Sequence, residues 1–125
     1  MKFIDSNIIA YAFYENELQR QCQNAIREGG IINALVLVEA FNIIEYNSSR
    51  TYATQVIRSL LKSSLQIIPV DVNVIFETIK QTEKQKELRF IDLLHYITAL
   101  QYNCEAILSY DKDFDRKVLP REEPT

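Results

Sequence analysis

Glycine is scarce in this chain: only Gly29 and Gly30 occur among 125 residues. That scarcity excludes a glycine-rich loop cradling phosphates. Cysteine is as rare. Cys22 and Cys104 each fall in a segment that reads as helical, so neither a disulfide framework nor a thiolate metal centre is implied. A reducing cytoplasm is the expected compartment. There is one histidine, His95. A serine-hydrolase triad needs a histidine beside a nucleophile, and nothing marks one here. His95 lies on an apolar helical segment, where a core or supporting role is expected before that of a catalytic base. No stretch is long enough to span a bilayer, and Met1-Lys2-Phe3-Ile4-Asp5 lacks the apolar segment of a signal peptide, so a soluble protein is expected. Positive charge is not in excess. Fourteen basic against seventeen acidic residues give a net charge of -3, which excludes nucleic-acid binding driven by overall charge. A nucleic-acid enzyme stays possible, because a divalent cation held by acids reverses the field that a phosphate meets.

What is present is enough apolar sequence for one core. At 47% hydrophobic and 25% charged residues, the chain reads as a single domain over 1–125, with 119–125 as a loose, proline-containing tail. Short apolar runs at Lys2–Asp5, Ile31–Ile32, Leu65–Val70 and Ala106–Ser109 read as strands, the third near an edge because Pro69 cannot donate to a ladder. Helical patterns lie between them. Ser6 or Asn7 is placed to cap the first, Asn33 the helix from Ala34, and Asp71 a later one whose Val72, Ile75, Phe76 and Ile79 have core spacing. Tyr11, Phe13, Phe41, Phe76, Phe90 and Phe114 are expected in the core. Alternation of strands and helices predicts an α/β sandwich with a mainly parallel central sheet flanked by helices.

Four acids stand out by context. Asp5 interrupts the apolar run Phe3-Ile4-Asp5-Ser6-Asn7-Ile8-Ile9, and Glu39 sits inside Leu37-Val38-Glu39-Ala40-Phe41. Asp92 lies near the start of a helix, and Asp111 follows the last apolar strand, with Asp113 as a fifth candidate. A carboxylate removed from water must neutralise, pair or bind a metal. Taken singly, Asp92 caps a helix and Asp111 opens a turn as readily as either binds a metal. Asp5 and Glu39 are harder to dismiss. Gathered together, oxygen ligands without cysteine or histidine favour Mg²⁺ or Mn²⁺ over zinc. Such a cation suits phosphodiester hydrolysis. In that reading Asp5, Asp92 and Asp111 hold metal, Glu39 binds metal or orients the attacking water, Asp113 completes the set, and Ser6 and Asn7 fix carboxylates or waters by hydrogen bonds.

The same blocks, in this order, resemble PIN-domain ribonucleases, especially the small VapC-type toxins of toxin–antitoxin pairs. The carriers are Phe3–Ile9, Leu37–Phe41, Leu88-Arg89-Phe90-Ile91-Asp92-Leu93-Leu94-His95 and Ile107-Leu108-Ser109-Tyr110-Asp111-Lys112-Asp113-Phe114, which together cover essentially the whole chain. By that resemblance the fold is a PIN-like three-layer sandwich, and Asp5, Glu39, Asp92 and Asp111 are the acidic active-site quartet with Asp113 as auxiliary. It also implies a Mg²⁺- or Mn²⁺-dependent endoribonuclease, homodimeric, held in check by a cognate antitoxin. Asn33 stands where Ser or Thr often precedes the second acid's helix, and Ser109 where Thr is usual; both keep a polar group.

Two other classes compete. A free-standing PIN nuclease, or a non-catalytic PIN-like module that binds a protein, has the same outline. A phosphorylation receiver fits poorly, because Asp71 comes late for a phosphoacceptor and the first strand ends in a lone acid. RNA needs a basic approach in a weakly acidic protein, and Lys84, Lys86, Arg89, Lys112 and Arg116 are the candidates for a rim, with Arg58 and Lys62 behind them.

Overall fold

Each apolar run becomes a short strand, and each amphipathic or apolar stretch between them becomes a helix. A computed structural model describes residues 1–125. The strands are β1 (Lys2–Ile4), β2 (Ile31–Asn33), β3 (Gln66–Ile68), β4 (Ala106–Leu108) and β5 (Arg121–Glu122). The helices are α1 (Ser6–Tyr11), α2 (Gln19–Glu28), α3 (Ala34–Asn47), α4 (Arg50–Leu61), α5 (Val72–Gln81) and α6 (Phe90–Gln101). A 3-10 turn covers Lys112–Phe114.

The strands form one sheet in the order β3-β2-β1-β4-β5, and every pairing is parallel. β1 is central, with Phe3 opposite both Ile31 of β2 and Ile107 of β4. The chain therefore builds outward on one side of β1, then returns to build on the other. At such a reversal the carboxyl ends of neighbouring strands splay apart and leave a crevice. Asp5 follows β1 and Ser109 follows β4, both at that crevice.

Helix α1 packs on α2 and α3, and α3 on α4, while α5 packs on α6 and α6 lies on β2 and β4. This is the expected three-layer α/β arrangement, with the sheet wholly parallel. Phe3, Ile4, Ile32 and Ile107 are fully buried, or nearly so, between the layers. β3 is an edge strand, as Pro69 implied. Asn33 and Asp71 cap α3 and α5 through their side-chain oxygens. No helix is long and apolar enough to cross a membrane.

The structure corrects three expectations. Asp5, not Ser6 or Asn7, caps α1: its carboxylate accepts the Ser6 N–H, so the helix begins one residue earlier. Residues 119–125 are not a loose tail. Leu119 is buried, β5 pairs with β4, and Arg121 donates from Nη1 to the Ser109 carbonyl at 2.9 Å. Third, α5 presents its apolar stripe to solvent: Val72 is 79% exposed and Phe76 59%, while Val74 and Thr78 on the opposite side face α6. Phe90 is also exposed, whereas Phe114 is core as expected.

Gly30 shows how tightly the central strands are set. A Cβ there would stand 2.8 Å from the Lys2 carbonyl oxygen, nearer than that backbone atom tolerates, and 3.0 Å from Ile4 Cδ1, which would have to shift. Gly30→Ala is expected to destabilise the fold by about 1–3 kcal/mol through overpacking. Urea denaturation checks it, and an unchanged midpoint would mean that β1 and its neighbour have room to part.

Candidate active site

Asp5 occupies the first position after β1 with extended backbone and is 4% exposed. Its Oδ1 accepts the Ser6 backbone N–H at 2.8 Å, and its Oδ2 accepts the Ser109 hydroxyl at 2.6 Å. Ser109 follows β4, so this second bond ties the ends of two adjacent strands. The same Ser109 oxygen accepts the Asp111 N–H at 3.0 Å, and Asp111 Oδ1 in turn accepts the Asp113 N–H at 2.9 Å to start the 3-10 turn. Sequence spacing thus converts directly into a chain of contacts from Asp5 to Asp111.

Asp92 lies in the first turn of α6, where the helix dipole favours negative charge, and is nearly buried. It does not cap the helix; Arg89 holds that position and its Nε stands 3.5 Å from Asp92 Oδ2. Glu39 projects from α3, and its Oε1 meets His95 Nε2 at 2.6 Å. His95 is fully buried, one helical turn beyond Asp92.

Electrostatics shows which acids share a field. Burial pushes the Asp5 carboxyl above the ordinary 3.8, against the Ser109 hydrogen bond and with a further rise from Glu39. Burial also raises Asp92, and the charges of Asp5 and then Asp111 add to it, opposed by Arg89. Asp5 thus feels Glu39, and Asp92 feels Asp5 and Asp111. They do not form a closed cage: no three His, Cys, Asp or Glu side chains are drawn together as a ready ligand set.

The remaining candidates divide. Ser6 and Ser109 touch Asp5 directly. Asn7 bonds none of the acids, and its buried Oδ1 has no hydrogen-bond partner. The Asp113 side chain is exposed. Lys84, Lys86, Arg89, Lys112 and Arg116 are all exposed, Arg89 alone being paired with an acid of the group. Two functional contacts escaped the sequence reading. Arg121 was assigned to a tail yet braces the Ser109 carbonyl, and no local pattern signals it. The His95–Glu39 bond was signalled only by the spacing of His95 from Asp92, which puts both on one side of α6.

Desolvated carboxylates whose pKa burial and neighbouring acids raise, with a buried amide oxygen on Asn7 that has no partner two residues after Asp5, form a hard-oxygen donor set carrying uncompensated negative charge. Such a set fits a hard divalent cation.

The family model described as PIN domain matches residues 2–118. Among solved structures, Mycobacterium tuberculosis VapC20, a sarcin-ricin loop cleaving toxin, superposes with a TM-score of 0.85 at 12% identity, covering 99% of this chain and 100% of that one. A toxin-antitoxin complex from Klebsiella pneumoniae aligns with a TM-score of 0.74 at 12% identity, covering 100% of this chain and 98% of that one. No curated protein matches in sequence.

The raised carboxyls set a sign for pH. Folded Asp5 and Asp92 hold their protons more tightly than when unfolded, so their share of the stability falls as pH rises from about 4, the unfolded value, to the folded one, and is flat above it. Asp5→Asn is therefore expected to be more stable than the parent at pH 7.5, on the order of 1 kcal/mol, with the difference shrinking toward pH 4. Thermal melts across that range test it; a variant less stable by the same margin at every pH would refute the desolvation argument.

Proposed function

The chain belongs to the PIN domain family, and from that premise we propose that it is a divalent-metal-dependent endoribonuclease, the toxin of a toxin–antitoxin pair. One observation carries the reading: Asp5 and Asp92 are both buried at the crevice where the sheet order reverses, and the charge of Asp5 raises the cost of ionising Asp92. That VapC20 cleaves the sarcin-ricin loop supports RNA as the substrate class.

Asp5, Asp92 and Asp111 are the residues that would hold Mg²⁺ or Mn²⁺, with Glu39 binding as well or orienting the water. When bound, such an ion supplies positive charge against the phosphodiester and acidifies the attacking water. The chain's own groups do the rest. Ser6 N–H and the Ser109 hydroxyl fix the two oxygens of Asp5, so its carboxylate cannot swing when charge changes in front of it. Glu39 takes its orientation from His95 and is placed to align water for attack on phosphorus. Asp113 and Asn7 are assigned to the outer set. Lys84, Lys86, Lys112 and Arg116, with Arg89, form the proposed basic rim that meets the RNA backbone.

Two partners follow. A hollow of about 220 Å³ lined by Leu37, Val38, Phe41, Asn42 and Ile57 opens between α3 and α4, which suits an apolar side chain from an antitoxin segment. The Klebsiella pneumoniae toxin-antitoxin complex supports such a partner. The exposed α5 stripe of Val72, Ile75, Phe76 and Ile79 suits a second copy of the chain. A cytoplasmic location agrees with both cysteines being free thiols.

With Mg²⁺ or Mn²⁺ the purified protein is expected to cut RNA, and EDTA, Asp5→Asn or Asp92→Asn to slow cutting by about 100-fold or more while circular dichroism stays unchanged. Equal rates in the parent and both variants would sink the site. For the dimer, Phe76→Asp is expected to halve the mass seen in sedimentation; a parent that is already monomeric at micromolar concentration would refute that surface.

A further inference from the structure

His95 is the only histidine in the chain and is sealed from solvent. Both ring nitrogens are engaged: Nδ1 lies 2.9 Å from Asn33 Nδ2, and Nε2 lies 2.6 Å from Glu39 Oε1. Which nitrogen carries the hydrogen is decided by the neighbours. Asn33 Oδ1 accepts the Val36 N–H at 3.0 Å as the cap of α3, which identifies the side-chain oxygen and turns the amide nitrogen toward α6. An amide nitrogen only donates, so the His95 Nδ1 it meets must accept. The hydrogen of the neutral ring is then on Nε2, pointed at Glu39.

The second hydrogen of the Asn33 amide is also accounted for. It goes to Thr98 Oγ1 at 3.2 Å, whose own hydrogen is given to the Leu94 carbonyl at 2.9 Å. Reversing the Asn33 amide would set its nitrogen against the Val36 N–H and leave His95 Nδ1 without a donor. The cap of one helix thus sets the tautomer of a ring on another. Phe3 of the central strand packs beside that ring, with centroids 5.6 Å apart, and limits its rotation.

We infer that His95 is a positioning residue for Glu39: through Nε2–H it holds Oε1 and leaves Oε2 as the one oxygen that Glu39 offers to water or cation. Oε2 has no hydrogen-bond partner in the protein, and the Glu39 side chain is 21% exposed, enough to reach solvent from that oxygen. The inference rests on the reading of the acids as a metal-dependent nuclease site. Asn33, read from sequence as a helix cap, also serves the site two contacts away.

The single histidine makes the test direct. Long-range proton–nitrogen NMR of the uniformly labelled protein is expected to show one imidazole with Nε2 protonated and Nδ1 bare; a protonated Nδ1 overturns the inference without any variant. Calorimetry with Mn²⁺ is expected to show affinity falling about 10- to 100-fold in His95→Leu and largely restored in His95→Gln, whose amide can donate where Nε2 did. In a Glu39→Gln background His95→Leu is expected to add nothing further, and losses that multiply in the double variant would make His95 independent of Glu39. Should His95→Leu fail to fold, the NMR assignment and His95→Gln carry the test. None of these measurements uses RNA, so failure of the nuclease reading shows separately, as no cutting of RNA by the parent protein with Mn²⁺.

Discussion

Two hydrogen bonds, from the Ser6 N–H at 2.8 Å and the Ser109 hydroxyl at 2.6 Å, hold a carboxylate that the sheet has taken out of water. Their worth decides the character of the site. A hydrogen bond to a charged group contributes about 1.5–3 kcal/mol, whereas removing a carboxylate from water costs several kcal/mol even after relaxation. Desolvation wins, in agreement with the raised Asp5 pKa. Asp5 is thus oriented but not neutralised, and the nearby charge of Glu39 deepens the deficit. A site left short of positive charge is built to receive some.

The same pair of bonds sets the local architecture. Asp5 joins the end of the central strand to the start of α1 and, through Ser109, to the end of β4. Ser109 is bound on three sides: by Asp5 and Asp111 at its hydroxyl, and by Arg121 at its carbonyl. Arg121 Nε also pairs with Asp115, and Nη1 with Glu123, so the last strand is stapled to the segment that carries Asp111. β5 is short, but its position explains why the C-terminal residues are ordered: they are the outer support of the carboxylate end of β4.

Much of this was readable in the sequence because single residues violated their surroundings. Asp5 in an apolar run was the clearest case, and its burial follows from the same run that raises the question. Asn33 and Asp71 act as caps because their oxygens sit at fixed spacing from free N–H groups. The α5 stripe was misread for a definite reason: core spacing states that apolar residues share a face, and cannot state which layer, if any, covers that face. Arg121 gave no local signal, and the Asn33–His95–Glu39 line only the spacing of His95 from Asp92, because they join residues far apart in sequence that only the strand order brings together.

Glu39 and Asp5 are handled by opposite devices, and in the proposed nuclease this divides their roles. Asp5 is fully enclosed, both oxygens engaged, its charge disfavoured by burial. Glu39 is partly open, with one oxygen held by a ring whose own orientation is fixed from behind by Asn33. A rigid, enclosed carboxylate is suited to anchoring a cation, since it cannot follow the ion away. A carboxylate pinned at one oxygen and free at the other is suited to guiding water, which must arrive, lose a proton and leave as product. Both kinds of group lie at the one crevice that the reversal of strand order creates, and neither needs glycine-rich loops or thiolates to build it. The scarcity of glycine and cysteine in this chain is then consistent with the proposed chemistry, because the site is made by side-chain oxygens mounted on rigid strand ends and helix turns.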